Sequence, residues 1–143
     1  LQIVNCIAYN NGRDGFRLEA FNRTSTLLNC IATVNAAYGF RSNGIDSNCG
    51  MLRTCAGYSN TSGNTSLQTG QQNIGFIALS GDPFTAAAAG DFSINNTAGA
   101  GAVLRAAAYP GIFPGGLTTG YLDIGVAQHA DPTDSRTFWV TGA

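Results

Sequence analysis

The two acidic side chains placed closest to a workable catalytic geometry are Asp14 and Glu19, with Arg17 between them. Glycoside hydrolysis needs two carboxyls about 5–10 Å apart, and these two approach that closely only if the turn at Gly15 is tight. Arg17 reads equally well as their salt-bridge partner. The other carboxylates, Asp46, Asp82, Asp91, Asp123, Asp131 and Asp134, are spread along the chain. His129 has no Ser or Cys partner at a recognisable spacing. Cys6, Cys30, Cys49 and Cys55 contain no Cys-x-x-Cys pair, which argues against a zinc site. No Lys is present for a phosphate loop, and "GAGAVL" at 99–104 falls short of a dinucleotide fingerprint. These residues predict no catalytic site, no metal and no cofactor.

What must position any such residues is a repeat. "IVNCIA" at 3–8 returns as "LLNCIA" at 27–32, and internal repeats constrain architecture before other signals do. At a shift of 24, Val4 falls on Leu28 and Leu52, Ala8 on Ala32 and Ala56, Asn11 on Asn35, and Gly15 on Gly39 and Gly63. For the third copy a shift of 25 would instead align Cys55 with Cys30 and Asn60 with Asn35. The shift of 24 is expected because it keeps Leu52, Ala56 and Gly63 in place together, with room for a one-residue insertion. Short runs of Ile, Val, Leu, Phe and Thr separated by "NNG", "NG" and "TSGN" read as strands and turns. The expected fold is therefore all-β, a parallel β-solenoid with about 24 residues per coil and coils roughly 4.8 Å apart.

Stacking gives the repeated residues structural duties. Val4, Cys6 and Ala8, then Leu28, Cys30 and Ala32, then Leu52 and Ala56, are expected to form the interior ladder. Asn at a turn can bond the Asn one coil away, and the cysteines are expected as free, buried thiols. The carboxylates find no acidic counterpart one repeat away: Asp14 meets Tyr38, Glu19 meets Asn43 and Asp46 meets Asn22. Tyr9, Tyr38 and Tyr58 fall out of register, which speaks against a regular sugar-stacking groove.

The strands are apolar on both faces, a sign of burial on both. The second face would carry Ile3, Leu27 and Met51 beside Ile7, Ile31 and Leu79, and large exposed apolar patches mark partner surfaces. This stripe is expected to mediate self-association; the alternative is that a loop or the C-terminal segment folds over it.

The N-terminal repeats resemble the right-handed parallel β-helix superfamily, which includes pectate-lyase-like enzymes, adhesins and phage tailspikes. The later stretch, with Asp82-Pro83, Gly90-Asp91-Phe92, the small-residue run 98–108 and Asp123-Ile124-Gly125, resembles the closing segment of bacterial surface and phage-associated β-helix proteins. The resemblance implies β-helix coils over 1–80, a C-terminal closing segment over 81–129, and a connector or terminal strand over 130–143. It also makes a homotrimer the favoured assembly and a virion or the cell exterior the expected location. Leu1 begins inside a strand, so the sequence reads as part of a longer or processed chain.

Composition fits this reading. Charged residues make up 10% of the 143 and the net charge is -1, which argues against nucleic acid as a partner. No run of about 18 apolar residues is available to span a bilayer. A non-catalytic structural or receptor-facing component of an extracellular or virion assembly, such as a phage fibre, is the expected function. A carbohydrate-binding or polysaccharide-degrading protein engaging a surface glycan, or an adhesin domain, is the alternative.

Overall fold

A computed structural model describes residues 1–18, 25–43, 51–105, 107–109 and 123–126. The described residues form an all-β fold dominated by parallel sheets, compatible with a β-solenoid. The strands are β1 (Gln2–Val4), β2 (Ile7–Tyr9), β3 (Phe16–Leu18), β4 (Thr26–Leu28), β5 (Ile31–Thr33), β6 (Tyr38–Ser42), β7 (Met51–Arg53), β8 (Ala56–Tyr58), β9 (Gly63–Ser66), β10 (Gln72–Ile74) and β11 (Ile77–Ala78). Each of β1 to β8 pairs in parallel with the strand three elements on. The sheet orders are β1-β4-β7-β10, β2-β5-β8-β11 and β3-β6-β9. The antiparallel pair β12 (Phe84–Ala86) and β13 (Asp91–Ile94) follows, linked by a 3-10 turn at Ala87–Ala89.

The first step between coils is 24 residues, with Gln2 opposite Thr26 and Leu18 opposite Ser42. The second step is 25 rather than 24: Thr26 lies opposite Met51, Ile31 opposite Ala56 and Tyr38 opposite Gly63. The extra residue therefore falls between Ser42 and Met51. This register aligns Cys30 with Cys55 and Asn35 with Asn60, and it removes Gly63 from the Gly15–Gly39 column. Gly15 and Gly39 serve close packing: a Cβ on Gly39 would lie 2.7 Å from Asn60 Nδ2 and 2.8 Å from the Asn64 carbonyl oxygen.

The side-chain parity also differs from expectation, and for one physical reason. Asn5, Asn29 and Thr54 turn the corner between the first two sheets with φ of 53°, 54° and 47°. A left-handed corner residue breaks the period-2 alternation of a strand, so the inward positions are 3, 6 and 8 rather than 4, 6 and 8. Ile3, Leu27 and Leu52 accordingly pack in the interior with Cys6, Cys30, Cys55, Ala8 and Ala32. Val4 and Leu28 leave the expected ladder and are half-buried. Ala56 lies on the outer face of its sheet, and Met51 is half-buried. Phe16 and Phe40 stack with centroids 5.2 Å apart, and Phe76 meets Phe40 edge-on at 5.9 Å beneath them.

A second core covers what the sequence offered as an exposed stripe. Ile31 and Leu79 are buried, with Ile7 packed beside them, against Phe84, Ile94, Leu104 and Ile124 of the C-terminal segment. Leu27 and Ile3, expected on that stripe, instead face the first core. The chain thus supplies its own cover, and the stripe is not a free surface. Tyr109 fastens part of this cover: its N–H reaches Asn29 Oδ1 at 2.8 Å, its carbonyl accepts from Asn29 Nδ2 at 3.0 Å, and the Arg53 guanidinium lies 3.6 Å over its ring. Thr54 Oγ1 also donates to Asn29 Oδ1. Residues 123–126 of the "GYLDIGVAQH" stretch form no strand, and the expected terminal strand at 130–143 lies outside the described residues.

Candidate functional site

The side chains singled out for chemistry are mostly occupied in holding the coils together. Asp14 is 2% exposed, accepts the Tyr38 N–H at 3.1 Å and lies 3.8 Å from Arg41 Nη1. Its carboxylate therefore ties one coil to the next, with Arg41 as a basic neighbour. Glu19, Asp46, Asp131, Asp134, His129 and Trp139 lie outside the described residues, so the Asp14–Glu19 geometry is not on view. Asp82 and Asp91 each accept a backbone N–H two residues on, from Phe84 and Ser93. The hydrogen bonds from the Ser93 side chain and backbone hold the Asp91 carboxyl below its ordinary value. Among the described residues no cluster of His, Cys, Asp or Glu has metal-binding geometry.

Asparagine forms the ladder that the spacing suggested. Asn35 Oδ1 accepts Asn11 N–H at 3.0 Å and Asn11 Nδ2 at 2.8 Å. One coil down, Asn60 Oδ1 accepts the corresponding Asn35 groups at 3.1 and 2.8 Å. The second amide proton runs to the strand above, from Asn35 Nδ2 to the Ala8 carbonyl at 3.2 Å and from Asn60 Nδ2 to the Ala32 carbonyl at 2.9 Å. Asn64 Oδ1 closes the lower end of the ladder on Asn60. The Asn60 side-chain amide, which opens the glycosylation sequon Asn60-Thr61-Ser62, is thus consumed in the fold.

The thiols form a second column, and those at Cys6, Cys30 and Cys55 are free. Burial and then the neighbouring Cys30 push the Cys6 thiol up. The hydrogen bond between the Cys30 and Cys55 side chains pushes Cys30 up and holds Cys55 down, while burial opposes ionisation of both. The thiolate is the reactive form, so a raised pKa slows Cys6, while Cys30 and Cys55 are 0% exposed and closed to a reagent. Alkylation of the native protein at pH 8 should therefore label Cys6 slowly and leave Cys30 and Cys55 untouched until denaturant is added. Peptide mapping by mass spectrometry checks this; rapid native labelling of Cys30 would contradict the packing.

The upper end of the stack carries a site with room for a partner that the ladders leave open. A groove of about 640 Å³ lies along β2. Cys6 and Ala8 lie along it, Asn5 and Asn11 stand at the two ends of the strand, and Tyr9, Phe16 and Phe92 supply aromatic faces. Tyr9 meets Phe92 edge-on at 5.5 Å. Among the described residues no Asp, Glu, Arg or His lines this groove, and those that do offer amide hydrogen bonding and apolar contact. The sequence search for reactive residues passed over it because its components read as core and corner. Tyr9 and Tyr58 also share one column, with Thr33 between them, which the 25-residue step restores.

Comparison with protein-family models, curated proteins and solved structures gives no match. Among the described residues no helix is long and apolar enough to cross a membrane.

Proposed function

We propose that this chain is a non-catalytic structural or receptor-facing subunit of an extracellular or virion assembly, built as a right-handed parallel β-helix that self-associates. The observation that carries the reading is the use of the repeated residues. The Asn11–Asn35–Asn60 ladder, the Cys6–Cys30–Cys55 column and the Phe16–Phe40 stack all serve coil-to-coil cohesion. A chain whose repeat is committed to stacking is suited to bearing load or displaying a surface. The low charge of the sequence agrees with a packed assembly. The outer stripe expected to mediate self-association is covered by the chain itself, so the self-association proposed here does not run through Ile31.

Native mass by light scattering, run beside a depolymerisation assay on a panel of acidic and neutral polysaccharides, tests this reading. A defined assembly with no polysaccharide turnover supports it. A monomer that shortens any of the polysaccharides overturns it. The aromatic groove along β2 favours one second reading, a glycan-binding module, which predicts saturable binding on a glycan array that Tyr9→Ala abolishes.

A further inference from the structure

We propose that docking of the closing segment is controlled by the register between the second and third coils, through a latch made of Asn29, Thr54 and Arg53. The cover then closes only on a correctly stacked solenoid.

Two parts of the cover converge on Asn29. Its side-chain amide meets both polar groups of the Tyr109 backbone, accepting the N–H at 2.8 Å and donating to the carbonyl at 3.0 Å. Its main-chain carbonyl accepts the Gly125 N–H at 2.9 Å. An amide meets an N–H and a C=O together in only one of its two flipped orientations; reversed, it would set donor against donor and oxygen against oxygen. Thr54 holds the amide where Tyr109 meets it: its hydroxyl donates to Asn29 Oδ1 and stands 3.3 Å from the Tyr109 nitrogen as a second acceptor. The Arg53 guanidinium, 3.6 Å over the Tyr109 ring, adds a cation–π contact. Asn29 is buried, so a group left unmet there is costly.

The latch forms at one register only. β4 and β7 pair with Leu28 opposite Arg53, which brings Asn29 opposite Thr54, and the Asn29 N–H bonds the Arg53 carbonyl at 3.1 Å. Both corner residues take a positive φ, 54° and 47°, and their side chains stand one above the other. At a step of 24 residues Arg53 would lie opposite Asn29 and Thr54 opposite Cys30. A slip of one residue sends the side chains of a strand to its other face. The hydroxyl would then leave the amide, and the guanidinium would leave the ring. The apolar residues do not forbid that slip, since Leu52 matches Leu28 and Ala56 matches Ala32 at a step of 24. A cover that docks only at 25 selects against it.

Amide exchange at Gly125 tests the latch, because that N–H bonds the Asn29 main chain and no side chain that is substituted. Thr54→Val keeps the shape and loses the hydroxyl; it should speed Gly125 exchange about tenfold relative to Phe40, while Thr54→Ser should leave the rate near that of the parent. Asn29→Gly suits the positive φ and removes the amide, and should speed Gly125 about a hundredfold. Adding Thr54→Val to Asn29→Gly should then change little. The packing of Ile124 in one cluster with Ile31 and Leu104 leaves protection in which a further loss would show. A Gly125 rate that Thr54→Val leaves unchanged, or raises no more than that of Phe40, would overturn the proposal. So would a Thr54→Ser variant as fast as Thr54→Val, or a Thr54→Val effect as large beside Asn29→Gly as alone.

Discussion

Asn35→Ala should destabilise the protein by about 3 kcal/mol, whereas Asn11→Ala should cost less than about 1 kcal/mol, although both remove an asparagine from the same ladder. Asn35 is fully buried, with a coil above it and a coil below. Truncation withdraws the donor from the Ala8 carbonyl and from Asn60 Oδ1, and the acceptor from two Asn11 groups. Asn60 Oδ1 keeps the Asn35 backbone N–H, which limits the loss. Leaving a buried polar group unpaired costs about 1–3 kcal/mol, more than the net worth of the bond it made. At Asn11 the side chain is exposed, and water takes over the lost contacts.

In melting temperature the Asn35 effect corresponds to about 10 °C for a chain of this size. Asn35→Asp should cost still more, because both of its Nδ2 bonds run to acceptor oxygens and a carboxylate brings none of the needed protons. Thermal or urea unfolding of the three variants checks the order Asp, Ala, then Asn11→Ala. Equal losses at Asn35 and Asn11 would show that the ladder does not carry load between coils.

The ladder also shows how far the sequence could be read. The repeat, the strand runs and the Asn-on-Asn contact are all visible in the spacing of hydrophobic residues and turn signals. For the third coil two registers are visible, and the structure takes the 25-residue step, the expected 24 plus a one-residue insertion. Leu52, Ala56 and Gly63 favoured 24, yet apolar residues are interchangeable in a column, while a buried amide must meet its partner. Asn60 and Cys55 therefore outweigh them, and the step is 25. The inward parity was not legible, because a positive φ at Asn5, Asn29 and Thr54 leaves no mark that distinguishes these residues from others in polar turns. That hidden corner moved Ile3 and Leu27 inside and Val4 and Leu28 out. The groove along β2 was missed because its lining residues, Cys6, Ala8, Gly15 and Phe16 among them, read as core and corner positions.

Ile31→Asp should lower stability by more than about 4 kcal/mol and strip protection from the closing segment, without dissociating any assembly. In the sequence Ile31 falls on an apolar face expected to mediate self-association, with cover by a loop or the C-terminal segment as the alternative. In the folded chain Ile31 is 0% exposed and packs in one cluster with Leu104 and Ile124. A carboxylate there has no partner and no water, so the covering segment must lift away from the sheet. Gly125 gives an independent handle on the same contact: its N–H bonds the Asn29 carbonyl at 2.9 Å, and a Cβ added to it would lie 2.5 Å from Ile31 Cδ1. With φ at +104°, Gly125→Ala is strained in the backbone as well as crowded. Ile31→Val removes the crowded Cδ1, so the double variant Gly125→Ala, Ile31→Val should lose less than the sum of the single losses. Backbone strain alone would leave the two additive. Limited proteolysis and amide exchange should place the new openings at 83–105 and 123–126, with Leu52 and Phe40 still protected. A fully protected Ile31→Asp variant whose native mass falls would instead return the face to the subunit interface, and the closing segment would then lie elsewhere.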